Sequence, residues 1–178
     1  MSLTNKILFA PTLLLLSSVA VAGEEKDIEF ITAQTLNIFC VQTSLDNSNF
    51  DQAIKQSIKT GFVEKYQFLD KDQLLNVGNA DLGIFANIAG TIFVIAMGQR
   101  KSEGFTPFCS VTTEMTHVGG MNLVQNQFTT FKLNSTEVIG GDEIATYRGY
   151  LPGFSNDLAI GVRSSWGMTS ISFFEFLP

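Results

Sequence analysis

Ile28, Ile31, Leu36, Phe39 and Cys40 recur at helical intervals and predict a first helix that runs to about Gln42 and carries Cys40 near its end. A polar break from Ser44 to Asn49 follows. Phe50, Ile54 and Ile58, four residues apart, then predict a second helix from Phe50 to Thr60, opened by an Asn49–Gln52 capping pair and closed at Gly61. Asp70 to Asn76 adds a turn or two before Gly78. The period then changes. Ile84 to Ile88 and Thr91 to Met97 are β-branched and aromatic runs separated by Ala89-Gly90, which predicts a hairpin at the buried centre of a sheet. Phe108 to Met115 alternates as a further strand and presents Cys109 to the first helix.

Met121, Val124, Phe128 and Phe131 return to helical spacing and predict a helix from Asn122 to Lys132. Gly140-Gly141-Asp142 marks a turn. Three alternating runs, Glu143 to Leu151, Asp157 to Ser165 and Met168 to Leu177, complete the chain as an antiparallel meander. No segment repeats another at a fixed spacing, so no duplicated half is predicted. The expected fold is α+β: an antiparallel β-sheet of about five to six strands with two to three helices packed on it in two layers.

The first 22 residues change the picture. Lys6, the apolar run Ile7 to Leu16 and the small residues Ala20-Val21-Ala22 have the order of a secretory signal peptide, with cleavage expected between Ala22 and Gly23. Pro11, Thr12, Ser17 and Ser18 interrupt the apolar run, so it is too short and too broken for a spanning helix. Residues 23–178 then form one domain with no transmembrane span, and the location expected is periplasmic or secreted. That segment holds 17 acidic and 10 basic residues, a formal charge of −7. Such a surface repels phosphate backbones, and no basic stripe with interleaved aromatics offsets it, so nucleic acid is not an expected partner.

Cys40 and Cys109 are the only cysteines. In an exported chain an even number predicts a bridge, here one that staples helix to sheet; the spacing is not C-x-x-C, so no redox role is expected.

His117 is the single histidine, which excludes multi-histidine zinc sites and leaves little room for nucleophile and base pairs; it is expected at the end of a strand. Asp70, Asp72 and Asp81 match three positions of a calcium loop, but Leu74 and Leu75 stand where a ligand and a glycine are needed, so no metal is expected. Glycine-rich phosphate cradles are absent, and no cofactor is expected. Asn134-Ser135-Thr136 is a formal glycosylation sequon without further context.

One cluster points to recognition. Tyr147, Arg148, Tyr150, Arg163 and Trp166 fall in the meander, and arginine with aromatic residues is enriched at binding hot spots. Tyr147 and Arg148 are neighbours in a strand and face opposite ways, so the cluster does not share one surface. Tyr147, Arg148, Arg163 and Trp166 are the candidate binding residues, and no catalytic residue is assigned. The function expected is a non-enzymatic binding protein with a protein or envelope partner; the alternative is a small envelope hydrolase with an unrecognised polar site.

Overall fold

The computed structural model describes residues 24–42, 49–77, 80–98, 108–154 and 157–175. The expected signal segment, its Ala22–Gly23 cleavage pair and most of the Gly98–Gly104 turn lie outside the described residues. Helix α1 (Glu24–Leu36) buries Thr32 and Thr35, whose hydroxyls donate to the carbonyls of Ile28 and Ile31 at 2.6 and 2.8 Å. A π-turn (Asn37–Val41) continues it, with the Gln42 amide reaching back to the Asn37 carbonyl at 3.0 Å. The wider turn directs both Phe39 and Cys40 inward.

Helix α2 (Phe50–Lys59) starts where its apolar spacing predicts, but Asn49 already has helical dihedrals (φ −85°, ψ −10°) and makes no side-chain cap. The true capping box lies in the chain leading to helix α3 (Lys71–Asn76), where Asp70 in extended geometry accepts from the Gln73 amide at 2.9 Å and the Gln73 side chain accepts from the Asp70 amide at 2.8 Å.

Among the described residues eight antiparallel strands form one sheet: β1 (Lys65–Phe68), β2 (Leu82–Ile88), β3 (Thr91–Met97), β4 (Cys109–Thr113), β5 (Lys132–Ile139), β6 (Asp142–Gly149), β7 (Leu158–Ser165) and β8 (Met168–Glu175). The expected five to six strands are therefore corrected to eight. The two unforeseen strands, β1 and β5, are the sheet's edges, and nearly all their side chains are exposed on both faces. Without a buried face they lack the alternation that reveals a strand in sequence.

The order across the sheet is β1-β2-β3-β4-β8-β7-β6-β5. Helix α4 (His117–Gln127) links β4 at the centre to β5 at the far edge, and the meander β5 to β8 then returns to pair with β4 about Val111 and Ile171. Helix followed by four-stranded meander thus occurs twice in the topology, although no sequence repeat announces it.

Helix α4 begins five residues before the expected Asn122 because Thr116 caps it, its hydroxyl accepting from the Gly119 amide at 3.0 Å. Gly119 and Gly120 have low helix propensity but are needed for packing: a Cβ on Gly120 would lie 2.8 Å from Val162 and 2.9 Å from Thr169. His117 is accordingly the first residue of a helix and not the end of a strand.

Helices α1 and α4 pack over the centre of the sheet, where Phe39, Phe93, Tyr147, Ile160, Ile171 and Phe173 are fully enclosed. The Cys40–Cys109 disulfide joins the π-turn to β4 inside this core, with Cα atoms 5.4 Å apart. On the opposite face, Leu69, just before α3, and Leu74 of α3 cover Gly83, and the centre carries the small polar residues Ser110, Thr112, Ser170 and Ser172. Among the described residues no helix is long and apolar enough to cross a membrane.

Candidate functional site

Strand direction gathers the tight turns at one end of the sheet. Ala89-Gly90, Gly140-Gly141 and Trp166-Gly167 each join paired strands with two residues, all at positive φ, the geometry of type I′ hairpins. Helix α4 starts at the same end, following β4.

Trp166 is fully exposed, at 100%, with φ +54°. Asn, Asp and Gly suit that position, whereas a bulky L-residue there costs roughly 1–2 kcal/mol. An aromatic side chain held in strained backbone and touching nothing does not stabilise the fold, and such outliers cluster at functional positions.

The base of this hairpin is clamped from both faces. On the helix side the Ser164 hydroxyl meets the Thr169 hydroxyl at 3.0 Å, and Thr169 donates to the Met115 carbonyl at 2.6 Å. On the opposite side Arg163 donates from Nε to Asp142 Oδ2 at 2.8 Å, and its Nη2 reaches the same oxygen. Hydrogen bonds from Ser165 and from Arg163 hold the Asp142 carboxyl below its ordinary value, against a smaller opposing effect of burial. Trp166 therefore projects from a fixed base.

His117 lies on the helix side of the same end, where its Nδ1 contacts Glu143 Oε2 at 3.0 Å. The ring is 12% exposed and the Glu143 side chain 60%, so the carboxylate approaches from solvent. His117 Nε2 is enclosed and has no hydrogen-bond partner among the described residues. Ser164 pairs across strands with Glu143, but its hydroxyl is engaged by Met168 and Thr169. Acid, imidazole and hydroxyl thus come to one end of the sheet without the imidazole-to-hydroxyl contact that nucleophile activation requires.

The four candidate binding residues separate. Tyr147 is at 0% exposure in the core, where burial pushes its phenol up and the nearby Gln125 side chain opposes this, though among the described residues the hydroxyl has no partner at full hydrogen-bond geometry. Arg148 and Arg163 share the face opposite the helices, but Arg148 pairs with Ala159 and Arg163 with Ile144, which sets them about 13 Å apart along the strands. Only Arg163 and Trp166 are brought to the same end.

Sequence reasoning did not single out the apolar residues that accompany them: Val118 on α4 and Val138 and Ile139 beside the Gly140-Gly141 turn, exposed by 64%, 73% and 57%. An aromatic residue before glycine between two alternating runs was the available signal for the turn, but nothing in the sequence placed three turns side by side. Among the described residues no group of three or more His, Cys, Asp or Glu side chains is placed to hold a metal ion. Comparison with family models, curated proteins and solved structures finds no match.

Proposed function

We propose that this chain is an exported, non-enzymatic binding protein that engages a protein partner through the turn end of its sheet, with Trp166 as the anchor and Arg163 beside it. The observation that carries this reading is the fully exposed Trp166 on strained backbone above a clamped hairpin base. Tryptophan and arginine dominate interface hot spots, and a rigid presentation lowers the entropic cost of binding. The exposed apolar residues Val118, Val138 and Ile139 supply contact area around the anchor. Glu137 and Glu143 are exposed nearby, so the complementary partner surface is neutral to basic. The intramolecular disulfide supports an oxidising compartment and hence a periplasmic or secreted location.

A photocrosslinker placed at Val118 tests the reading in the native extracytoplasmic fraction. One saturable adduct is expected, weakened by Trp166→Ala by about 2 kcal/mol or more and by Arg163→Ala by about 1 kcal/mol. An adduct indifferent to both substitutions, or none, would refute it. The hydrolase reading rests on the His117–Glu143 contact. It becomes the better one if His117→Ala folds normally yet abolishes cellular function while Trp166→Ala preserves it.

A further inference from the structure

The sheet ends in an open ladder at β1, where all four residues are exposed. Tyr66 and Phe68 stand opposite Ala86 and Ile84 and so lie on the helix side, yet they are 42% and 47% exposed. Their rings already meet edge to face, with centroids 5.4 Å apart at 84°. Edge strands are ordinarily blunted by charge or by a bulge. The other edge, β5, has a bulge between Leu133 and Ser135, whereas β1 keeps an unbroken register with β2 from Lys65 to Phe68 and turns two aromatic rings outward.

The main chain of β1 selects the partner. The Leu69 amide donates to the Gly83 carbonyl at 2.9 Å, and Gln67 and Lys65 follow at alternate positions, in register with Phe85 and Asn87. Opposed residues of an antiparallel pair alternate between bonded and unbonded, so the odd-numbered residues bond to β2 and the N–H and C=O groups of Tyr66 and Phe68 point away from the sheet. Beyond these two the amides are taken: that of Glu64 by the Asn87 carbonyl at 2.8 Å, and that of Asp70 by the Gln73 side chain at 2.8 Å. A second β1 run antiparallel about Gln67 matches this pattern. Tyr66 then opposes Phe68 of the second copy and Phe68 opposes its Tyr66, which closes four main-chain hydrogen bonds and sets aromatic residues across from each other on the helix side. Centring the pair on Tyr66 or on Phe68 would instead bring Phe68 against Glu64 or Tyr66 against Asp70, whose amides are occupied. We propose that β1 is a homodimer interface, which joins two copies of the sheet into one across a two-fold axis at Gln67. Four residues a side make less than a standard interface, so the dimer is reversible, with a dissociation constant on the order of 100 µM.

Sedimentation velocity of residues 23–178 from about 10 µM to about 1 mM should show a monomer–dimer equilibrium in this range. The runs use about 0.5 M NaCl, which screens Glu64 from the Asp70 that the register brings opposite it at each end. Phe68→Lys, at an exposed edge position, should weaken the dimer about tenfold with an unchanged circular dichroism spectrum. Trp166→Ala should leave it unchanged, because the two-fold axis carries the two turn ends to opposite ends of the joined sheet. Gln67→Cys tests the register. The two copies of this unbonded position would have Cα atoms about 4.5 Å apart, within disulfide reach, and Cys40 and Cys109 are bonded to each other, so the new thiol has only its counterpart to join. Mild oxidation should link Gln67→Cys chains about tenfold faster than Lys55→Cys chains, whose thiol is exposed on α2. The proposal is overturned if the chain stays monomeric throughout, which would leave the edge to a strand of another protein. It also fails if Phe68→Lys dimerises as tightly, if Trp166→Ala weakens the dimer instead, or if the two cysteine variants link equally fast.

Discussion

Replacing Trp166 by asparagine should make the protein more stable while removing the side chain proposed here as the binding anchor. The side chain is 100% exposed, so its loss forfeits no buried area. The backbone at φ +54°, followed by Gly167 at +78°, is a type I′ turn, for which Asn-Gly is the preferred dipeptide. A left-handed non-glycine residue costs roughly 1–2 kcal/mol, and asparagine relieves much of that through local hydrogen bonding. The expected gain is about 1 kcal/mol, which for a chain of this length raises Tm by roughly 2–4 °C. Trp166→Ala separates the causes, because it deletes the ring but keeps a Cβ in the same strained geometry; its stability should stay within about 0.5 kcal/mol of the parent. Ala89→Asn, at φ +50° in a second hairpin of the same type, should gain about as much as Trp166→Asn. Calorimetry together with urea midpoints at constant m-value provides the assay. If Trp166→Asn lowers Tm, or Trp166→Ala raises it equally, backbone strain is not what the tryptophan imposes, and the inference from strain to function fails.

The buried Cys40–Cys109 bridge closes a loop with a sequence separation of 69, which in the chain-entropy model contributes about 4 kcal/mol, so the double alanine variant should melt roughly 8–16 °C lower; a loss under about 3 °C would refute that account. Gly149→Ala would bring a Cβ within 2.6 Å of the Thr130 carbonyl and 2.7 Å of the Phe131 Cα, backbone that cannot rotate away, and should destabilise by about 1–3 kcal/mol in chemical denaturation, whereas Gly120→Ala meets side-chain methyl groups and should cost less. Asp142 has a folded-state pKa below its ordinary 3.8, so its contribution is complete above that value and lost as pH falls through the folded pKa. Asp142→Asn should therefore flatten the acid limb of Tm against pH between about pH 5 and pH 2, and an unchanged limb would remove the Ser165 and Arg163 contacts from the account.

What sequence periodicity exposes is burial, and this explains both its reach and its failures here. The β2–β3 hairpin and the meander β6 to β8 were legible because one face of each strand is buried against the helices, which forces apolar residues into alternation. In β5 Leu133, Val138 and Ile139 are all exposed, and a bulge between Leu133 and Ser135 shifts the alternation partway along. The start of α4 was hidden by Gly119-Gly120, whose poor propensity is overridden by close approach to Val162 and Thr169, a constraint that exists only once α4 lies across β7 and β8. Crossover to the far edge is a long-range property, and a helix of 11 residues between two strands does not state which strand it will reach.

The binding cluster shows the same limit at the level of single side chains. Alternation separates Tyr147 from Arg148 but does not by itself say which of them faces the core. Their neighbours decide it: Ala145 and Tyr147 continue the buried face through Val162 and Ile160, and this leaves Arg148 on the side of Arg163. The phenol that reads as a recognition group is thereby a core ring, enclosed at 0% exposure. Trp166 escapes the ambiguity because a turn residue belongs to neither face. A large aromatic side chain at the tip of a two-residue hairpin has no core within reach, so its exposure follows from the turn geometry, and this exposed apolar surface is what the proposed partner contact rests on.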